Sequence, residues 1–295
     1  MFRAPIFWYK KNQTLLSILL LPVSVIFRFL TLIYILINKT KTSPIPVFCI
    51  GNLVVGGAGK TPVALKMGEI IKLAGYNPHF VSRGYSGEIK TNTRVNIQHS
   101  AKNVGDESLI LASVAPTWIG SNRIVSANLA YNSGADCIIM DDGFQNPTIK
   151  KDFSIIVIDG KQGFGNNNVL PAGPLRESIR RGLKRANAVI IVGKDNNKIN
   201  KLIPSEIPCF EAKFDVSKNN EIFKGKNITA FAGIAYPRKF FDTLEDQGAK
   251  VLKKITFADH HIYNENDLLK LVEIANTNKS ILVTTKKDFI RIPEN

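Results

Sequence analysis

A glycine cluster followed by a lysine and a threonine, GGAGKTP, has the residue types that hold phosphate groups. Backbone N–H groups of such a loop and of a following helix converge on an anion. Lys60 adds a positive charge for phosphate oxygens, and the Thr61 hydroxyl suits Mg²⁺. The strict pattern requires glycine at position 54, where this chain has Val54, and a plain glycine turn is the alternative. The predicted nucleotide-binding residues are Gly56, Gly57, Ala58, Gly59, Lys60, Thr61 and Pro62.

Two pairs of acidic residues offer further chemistry. Asp141 and Asp142 end an apolar run, where a carboxylate opposite a phosphate loop can hold Mg²⁺; a solvated turn is the alternative. Asp106 and Glu107 stand at a predicted helix start, a common place for capping acids. The functional interpretation of Asp106 is a general base beside an acceptor hydroxyl.

A histidine motif lies late in the chain, in the sequence FADHH. Asp259 precedes His260, and an aspartate beside a histidine is a common way to orient an imidazole ring. The motif, which also includes His261, is alternatively half of a metal site. No further histidine or cysteine cluster in the sequence completes such a site. An oriented imidazole is therefore the favoured interpretation of this motif.

Two glycine-rich loops present arginine. The sequence SRGYSG contains Arg83 and Tyr85, and the sequence LPAGPLRES contains Arg176. Arginine binds phosphate through two parallel hydrogen bonds, so each loop is a candidate for holding an anionic acceptor. Each loop is alternatively an ordinary surface turn. We treat Arg83, Tyr85 and Arg176 as predicted substrate-binding residues.

The elements that must position these residues alternate along the chain. Residues 45–53 predict a buried strand and residues 60–75 an amphipathic helix, so the phosphate loop lies between a strand and a helix. Further strands are predicted at 77–85, 116–121, 135–145, 152–160 and 186–194, and further helices at 104–115 and 123–134. This alternation predicts a mostly parallel sheet covered on both faces, with ligands beyond the carboxyl ends of the strands.

The predicted fold class is α/β: a P-loop NTPase-like parallel-sheet domain with a second, smaller α/β domain and an N-terminal membrane-associated helix. The boundaries are residues 1–40 for the helix, 41–210 for the P-loop domain, 211–227 for a polar linker and 228–295 for the smaller domain. The chain ends soon after a predicted strand, without a closing helix. We therefore expect the natural chain to continue past residue 295.

The N-terminal segment is almost entirely apolar over residues 14–37 and has basic residues on both sides. A signal peptide is disfavoured because no small-residue cleavage site follows. A spanning helix is hindered by Pro22 and by Arg28 near its centre. A helix lying in the cytoplasmic membrane face accommodates these residues, and a buried core helix is the remaining alternative.

The net charge of +15 suits an anionic partner such as a nucleotide or an anionic membrane. Nucleic-acid binding would rest on this charge alone, because no basic patch interleaved with aromatic residues supports it. Cys49 and Cys137 lie in apolar strand-like runs, and with Cys209 they are far apart in sequence. This pattern predicts that Cys49 and Cys137 are buried free thiols and that the three cysteines do not form a metal site.

The order of these motifs resembles one known family. GNLVVGGAGKTP, SRGY, GDE, DDGFQ, LPAGPLRE, FAGI, FADHH and TTKKD occur in that order over nearly the whole chain. This set of motifs resembles that of the tetraacyldisaccharide 4′-kinase family of lipid A biosynthesis. The resemblance implies transfer of the γ-phosphate of ATP to the 4′-hydroxyl of a tetraacyldisaccharide 1-phosphate, giving lipid IVA. It also implies a location at the cytoplasmic face of the inner membrane.

The resemblance also implies roles for particular residues. Lys60 and Thr61 would bind ATP with Mg²⁺, and Asp106 with His260 would form an acid–base pair. The predicted metal set is Thr61, Asp141, Asp142 and Glu107. One departure concerns Asn146, because the family usually has histidine after DDGFQ. Since asparagine still donates and accepts hydrogen bonds, we expect it to tune substrate binding rather than abolish it.

An alternative function is a membrane-attached P-loop ATPase or GTPase that acts as a switch or assembly factor. It would account for the phosphate loop, the basic charge and the apolar helix. It would not account for the Asp–His motif or for the loop that carries Arg176. The predicted partners are therefore the lipid substrate and the membrane surface, without nucleic acid; the sequence does not indicate an oligomeric state.

Overall fold

The computed structural model describes residues 4–10, 12–213 and 220–293. The strands are β1 Val47–Gly51, β2 Pro78–Ser82, β3 Thr93–Arg94, β4 Thr117–Ile119, β5 Cys137–Asp141, β6 Phe153–Asp159, β7 Ala188–Val192, β8 Cys209–Ala212, β9 Asn227–Ala232, β10 Lys250–Thr256 and β11 Ile281–Thr284. The helices are α1 Leu15–Leu19, α2 Leu21–Ile37, α3 Lys60–Leu73, α4 Ala101–Val104, α5 Asp106–Ala112, α6 Arg123–Asn132, α7 Ile179–Leu183, α8 Asn220–Phe223, α9 Pro237–Asp246, α10 Glu265–Thr277 and α11 Lys286–Phe289. Short 3-10 helices occupy Ile6–Tyr9 and Ile199–Leu202.

The larger sheet has eight strands in the order β3-β4-β2-β5-β1-β6-β7-β8. All neighbours are parallel except β3 and β4. Strand β1 lies between β5 and β6, and its Ile50 is in register with Asp141 of β5. The carboxyl ends of the two strands therefore meet at one edge, as the predicted parallel sheet requires.

Helices cover both faces of this sheet because its central strands are apolar on both sides. Cys49 of β1 packs into a core cluster that includes Ala127 of α6. Ile50, the next residue, packs into a second cluster with Ala64 of α3 and Leu111 of α5. Successive side chains of a strand point to opposite faces, so one short run supplies two cores.

The chain forms two compact units. Of the described residues, the larger unit comprises residues 4–99 and 103–213, and the smaller one comprises residues 220–293 with Ser100–Lys102. Strand β8 runs two residues into the segment expected to be a linker, and α8 lies within that segment. Of the three cysteines, Cys49 and Cys137 are buried as expected, and Cys209 is exposed.

The smaller unit contains a three-stranded parallel sheet in the order β10-β9-β11. Ile228 and Ala230 of β9 pack against Phe241 and Leu244 of α9 in its core. Helix α10 begins with a capping box, in which the Asn264 side chain accepts from the Asp267 N–H and the Asp267 side chain accepts from the Asn264 N–H. Such reciprocal capping fixes the start of the helix.

The first two helices turn their serines inward. Ser17 of α1 donates to the Ala172 carbonyl at 2.7 Å, and Ser24 of α2 donates to the Val169 carbonyl at 2.8 Å. Both serines are buried, whereas the large apolar side chains of α2 are mostly exposed, Leu36 to 82%. This polarity is the reverse of that of a buried core helix. None of the described helices is both long and apolar enough to cross a membrane.

Candidate active site

The glycine loop joins β1 to α3 at the carboxyl edge of the larger sheet. Gly59, immediately before α3, has a φ of 87°, and Gly56 has a φ of 121°; both angles favour glycine. Val54, which departs from the strict motif, is buried and forms an antiparallel bridge with Leu175. A strand-like pairing of this kind favours a β-branched residue. Backbone pairing therefore joins the start of the loop to the segment of Leu175, and Val54 adds a buried β-branched side chain there.

Thr61 and Asp141 lie together beneath this loop. The Thr61 hydroxyl donates to Asp141 Oδ2 at 2.9 Å, and both residues are buried. Among the described residues, the other carboxylate oxygen, Asp141 Oδ1, has no hydrogen-bond partner. Burial raises the pKa of Asp141 to about 6, although the charge of Lys60 opposes this rise. A buried carboxylate oxygen without a donor suits a cation.

This burial leads to a stability prediction. Without nucleotide or Mg²⁺, Asp141→Asn should raise the free energy of unfolding at pH 7.5 by about 1–3 kcal/mol, since one pKa unit is worth about 1.36 kcal/mol. The pKa of Asp141 lies above its ordinary value of 3.8, so ionisation destabilises the folded state as pH rises toward about 6. The increase in the free energy of unfolding of Asp141→Asn over the parent should therefore be nearly complete above that pH and much smaller at about pH 4.5.

The measurement is urea unfolding at both pH values. Glu206→Gln, at an exposed loop position, is the matched control and should show no comparable change. An Asp141→Asn protein no more stable than the parent at pH 7.5 would contradict the destabilising effect of the buried carboxylate.

Asp142 contacts two positively charged side chains at the mouth of the glycine loop. Arg176 donates to both of its carboxylate oxygens, at 2.8 and 3.2 Å, and Lys60 Nζ lies 3.6 Å from Asp142 Oδ1. Burial alone would raise the pKa of Asp142, but Lys60 and Arg176 outweigh it, so the pKa falls below its ordinary value. Burial also lowers the pKa of Lys60, against the opposing charge of Asp142. The arrangement concentrates positive charge where phosphate oxygens would arrive.

Gln145 connects the surrounding loops. Its side chain accepts from Arg176 at 3.2 Å and donates to the Asn52 carbonyl at 2.8 Å and to Glu177 at 3.2 Å. Glu177 in turn accepts from Arg185 at 2.5 Å. The ends of two loops and the residue after β1 are thus fixed relative to one another. No local sequence pattern marks these glutamine, glutamate and Arg185 side chains.

Asp106 and Glu107 form the first turn of α5. Asp106 is buried, and the charge of Glu107 acts on Lys60 and Asp141 at the glycine loop, although burial is the main influence on the pKa of both. Gly105, before the helix, has a φ of 83°, and a Cβ there would lie 2.2 Å from the Tyr85 carbonyl. This close approach brings the SRGY loop against the start of α5.

The predicted substrate-binding residues differ in their surroundings. Arg83 and Tyr85 are exposed on their loop. Asn146 forms a local turn, in which its side-chain oxygen accepts from the Thr148 N–H at 2.9 Å and from the Thr148 hydroxyl at 2.7 Å. Arg176 is bonded to Asp142. The structure therefore places Arg176 beside the phosphate loop, and its contact with the acceptor stays a prediction.

A buried arginine was also missed. Arg123, the first residue of α6, is buried and donates to the Gly120 carbonyl. Burial and the neighbouring positive charge of Arg83 lower its pKa to about 10. Within the described part of the chain, its Nε has no hydrogen-bond partner. The sequence signal was weak because Arg123 opens a helix without a recognisable motif.

His260 lies in the smaller unit, whereas Asp106 lies in the larger one. His260 Nε2 is 3.9 Å from Asp259 Oδ1, which is too long for a hydrogen bond. His261 instead pairs with Asp267, with Nε2 at 2.9 Å from Oδ2. The neighbouring aspartate therefore does not hold the His260 imidazole by a direct hydrogen bond.

The parallel sheet, the glycine loop before α3 and the buried carboxylate of β5 define a P-loop-type α/β protein that is suited to holding phosphate groups. A family model described as LpxK: Tetraacyldisaccharide-1-P 4'-kinase matches residues 16–295. The chain belongs to the tetraacyldisaccharide 4′-kinase family, and its activity is that of this kinase in lipid A biosynthesis.

Full-length relatives agree with this assignment. The chain is 41% identical to the tetraacyldisaccharide 4′-kinase of Gluconobacter oxydans and 42% identical to that of Rhodospirillum rubrum; each match covers 99% of this chain and 89% of the relative. The fold is similar to the crystal structure of an "apo" form of LpxK from Aquifex aeolicus in complex with ATP. That match has a TM-score of 0.74 and 25% identity over 94% of this chain and 90% of the other.

Proposed function

We propose that the cluster around the glycine loop binds ATP and transfers its γ-phosphoryl group to the 4′-hydroxyl of the lipid disaccharide. The observation that carries this proposal is the Thr61–Asp141 hydrogen bond beneath the loop, with Asp141 Oδ1 left without a donor among the described residues. ATP in the Aquifex aeolicus relative supports the choice of nucleotide.

The test of this activity uses γ-labelled ATP with the tetraacyldisaccharide 1-phosphate acceptor. Label should appear in the lipid and only when the acceptor is present. Release of free phosphate at the same rate with and without acceptor would instead favour a membrane-attached ATPase.

We assign Mg²⁺ to Thr61 and Asp141. The residues fit this ion because a hydroxyl and a buried carboxylate are hard oxygen ligands. The described residues contain no group of three or more histidine, cysteine or acidic side chains that could hold a metal by themselves, so nucleotide and water oxygens would complete the shell. When bound, Mg²⁺ would neutralise charge on the β- and γ-phosphates. Asp142 and Glu107 stay in the proposed set as charges that orient Lys60.

We assign the phosphates to the loop from Gly56 to Pro62 and to two cations beside it. Lys60 supplies a point charge, and Arg176 supplies a planar group that stays paired with Asp142 and offers its remaining N–H donors to a phosphoryl group. Because Arg176 is already held through both oxygens of Asp142, its orientation is set before the nucleotide arrives. Positively charged side chains that are already oriented lower the activation barrier of phosphoryl transfer, because they stabilise the charge that develops during the reaction.

The acceptor hydroxyl must lose a proton as it attacks. We assign this proton to Asp106, which is buried at the first turn of α5. His260 is the proposed second member of the acid–base pair. The exposed loop with Arg83 and Tyr85 is the proposed contact for the anionic part of the lipid, and Asn146 is a proposed neighbour of that contact.

We also propose that α2 attaches the enzyme to the cytoplasmic face of the inner membrane. Its buried Ser24 bonds to the Val169 carbonyl, while its exposed apolar side chains include Val25, Phe29 and Leu36. These three residues lie on one face of the helix, because their spacings of four and seven return to nearly the same direction. A helix docked in this way can bury its apolar face in lipid.

Replacing Val25, Phe29 and Leu36 together by glutamine should weaken binding to vesicles by at least about 10²-fold, since each buried apolar side chain is worth about 1.5–3 kcal/mol. Cosedimentation with vesicles of phosphatidylethanolamine and phosphatidylglycerol measures this effect. Ile70→Gln with Leu73→Gln, at exposed apolar positions of α3, is the control. Unchanged cosedimentation of the α2 variant would assign attachment to another surface.

A further inference from the structure

Asp288, in the late TTKKD motif, is fully buried in the smaller unit. Its Oδ1 accepts from the Gly233 N–H at 2.8 Å and from the Tyr263 hydroxyl at 2.9 Å. Its Oδ2 accepts from the Thr285 hydroxyl at 2.6 Å, and Arg291 Nη1 lies 3.2 Å from Oδ1. A carboxylate surrounded by this many donors is held in one position.

The same network holds the Gly233 peptide on both sides. Its N–H bonds to Asp288, and its carbonyl accepts from Arg291 Nη1 at 2.8 Å. The carbonyl also accepts from the His260 N–H at 3.0 Å. A Cβ at position 233 would lie 2.9 Å from the Ala258 carbonyl and 3.1 Å from Asp288 Oδ1, so the close approach requires glycine. One carbonyl therefore links the buried ion pair to the backbone of His260.

His260 has a φ of 58°, in the left-handed region that few residues other than glycine adopt. Such a conformation persists only where the surroundings impose it. On one side the His260 N–H is fixed to Gly233. Three residues later, Tyr263 packs edge-on against Phe231 and Phe257, with ring centroids 5.3 and 5.1 Å apart, and its hydroxyl bonds to Asp288.

We infer that Asp288 and Arg291 are positioning residues that impose the conformation of the His260 turn, residues 258–263. The inference rests on the proposed function in one respect, namely that His260 takes part in the transfer. Neither residue lies in the nucleotide-binding unit. They act on the reaction by fixing a backbone, so they should affect kcat while leaving the KM for ATP nearly unchanged.

A buried ion pair could instead serve stability alone, and the experiment separates the two roles. Asp288→Asn keeps the shape of the side chain but removes its charge. Tyr263→Phe keeps the aromatic packing and removes one bond to Asp288. Thr229→Val is the matched control, because it removes another buried hydrogen bond of the same unit, to Ser280 at 2.7 Å.

Amide hydrogen exchange and steady-state kinetics are measured on the full chain. In Asp288→Asn, exchange in residues 258–263 should rise at least about tenfold more than in β9, and kcat should fall at least about tenfold. Tyr263→Phe should show smaller changes of the same kind, and it keeps the test decisive if Asp288→Asn does not fold. Thr229→Val should not raise exchange selectively in the His260 turn.

Unchanged exchange of the His260 turn in both Asp288→Asn and Tyr263→Phe would overturn the inference. Faster exchange of this turn with a normal kcat would uphold the positioning of the turn and overturn the catalytic assignment of His260. The two failures are therefore distinguishable.

Discussion

Replacing Lys60 by alanine is expected to lower kcat by at least ~10²-fold at saturating ATP, as for other major electrostatic contacts to a transferring phosphoryl group. The Lys60 side chain is only 11% exposed and lies 3.6 Å from Asp142, so its charge is held at the mouth of the loop. Without it, Arg176 alone would balance Asp142, and less positive charge would remain for the phosphates. The loss should therefore fall on the chemical step and not only on ATP affinity.

Steady-state kinetics with lipid acceptor measures this loss. Lys66→Ala is the matched control, because Lys66 lies on the same helix and its side chain is 67% exposed. In the described structure Lys66 forms an ion pair with Glu69, away from the glycine loop. Its kcat should stay within about twofold of the parent, as expected for an exposed pair of little energetic weight. Near-normal turnover of Lys60→Ala at saturating ATP would rule out a phosphate-binding role for residues 56–62.

The second large effect concerns Asp106 and His260. Alanine at either position should lower kcat by about 10²–10⁴-fold, the usual contribution of general acid–base catalysis, with little change in the KM for ATP. A sugar hydroxyl is a poor nucleophile at neutral pH, so its proton must be accepted as the new bond forms. Because residues that act as one unit are not additive, the double variant should be scarcely slower than the slower single variant.

Kinetics on the parent, the two single variants and the double variant tests this coupling. His99→Ala, a histidine of the larger unit without an assigned role, is the control and should be fully active. Losses that multiply in the double variant would show that the two residues act independently. A fully active His260→Ala enzyme would move attention to His261, although the hydrogen bond of that residue to Asp267 favours a structural role.

The phosphate loop and the parallel sheet could be predicted because their signals are local. Glycines, a lysine and a threonine between an apolar run and an amphipathic run specify both the loop and its edge of the sheet. Strand β8 was not predicted, because it lies at the sheet edge with Phe210 58% exposed and lacks the apolar pattern of a buried strand. The two-residue β3 is too short to give any pattern.

The surroundings of the site depended on contacts that no local pattern encodes. The pairing of Arg176 with Asp142 could not be predicted, because a guanidinium binds a carboxylate as readily as a phosphate and only the fold brings Asp142 to it. Gln145 is linked to Asn52 across 93 residues of sequence. The serines of the first helices carried a usable signal, since Ser17 and Ser24 are seven residues apart and share a face. The surrounding apolar residues obscured it.

The inward serines of α1 and α2 also set the order in which this chain can assemble during synthesis. Ser17 bonds to a carbonyl 155 residues further along the chain. At roughly 5–20 residues per second, that acceptor is made about 8–30 s after the serine. During this interval the apolar helices have left the ribosome, but the loop that contains Ala172, their docking loop, has not yet been synthesised. If α2 attaches to the membrane as proposed above, synthesis close to a bilayer would shelter this helix until its docking loop exists.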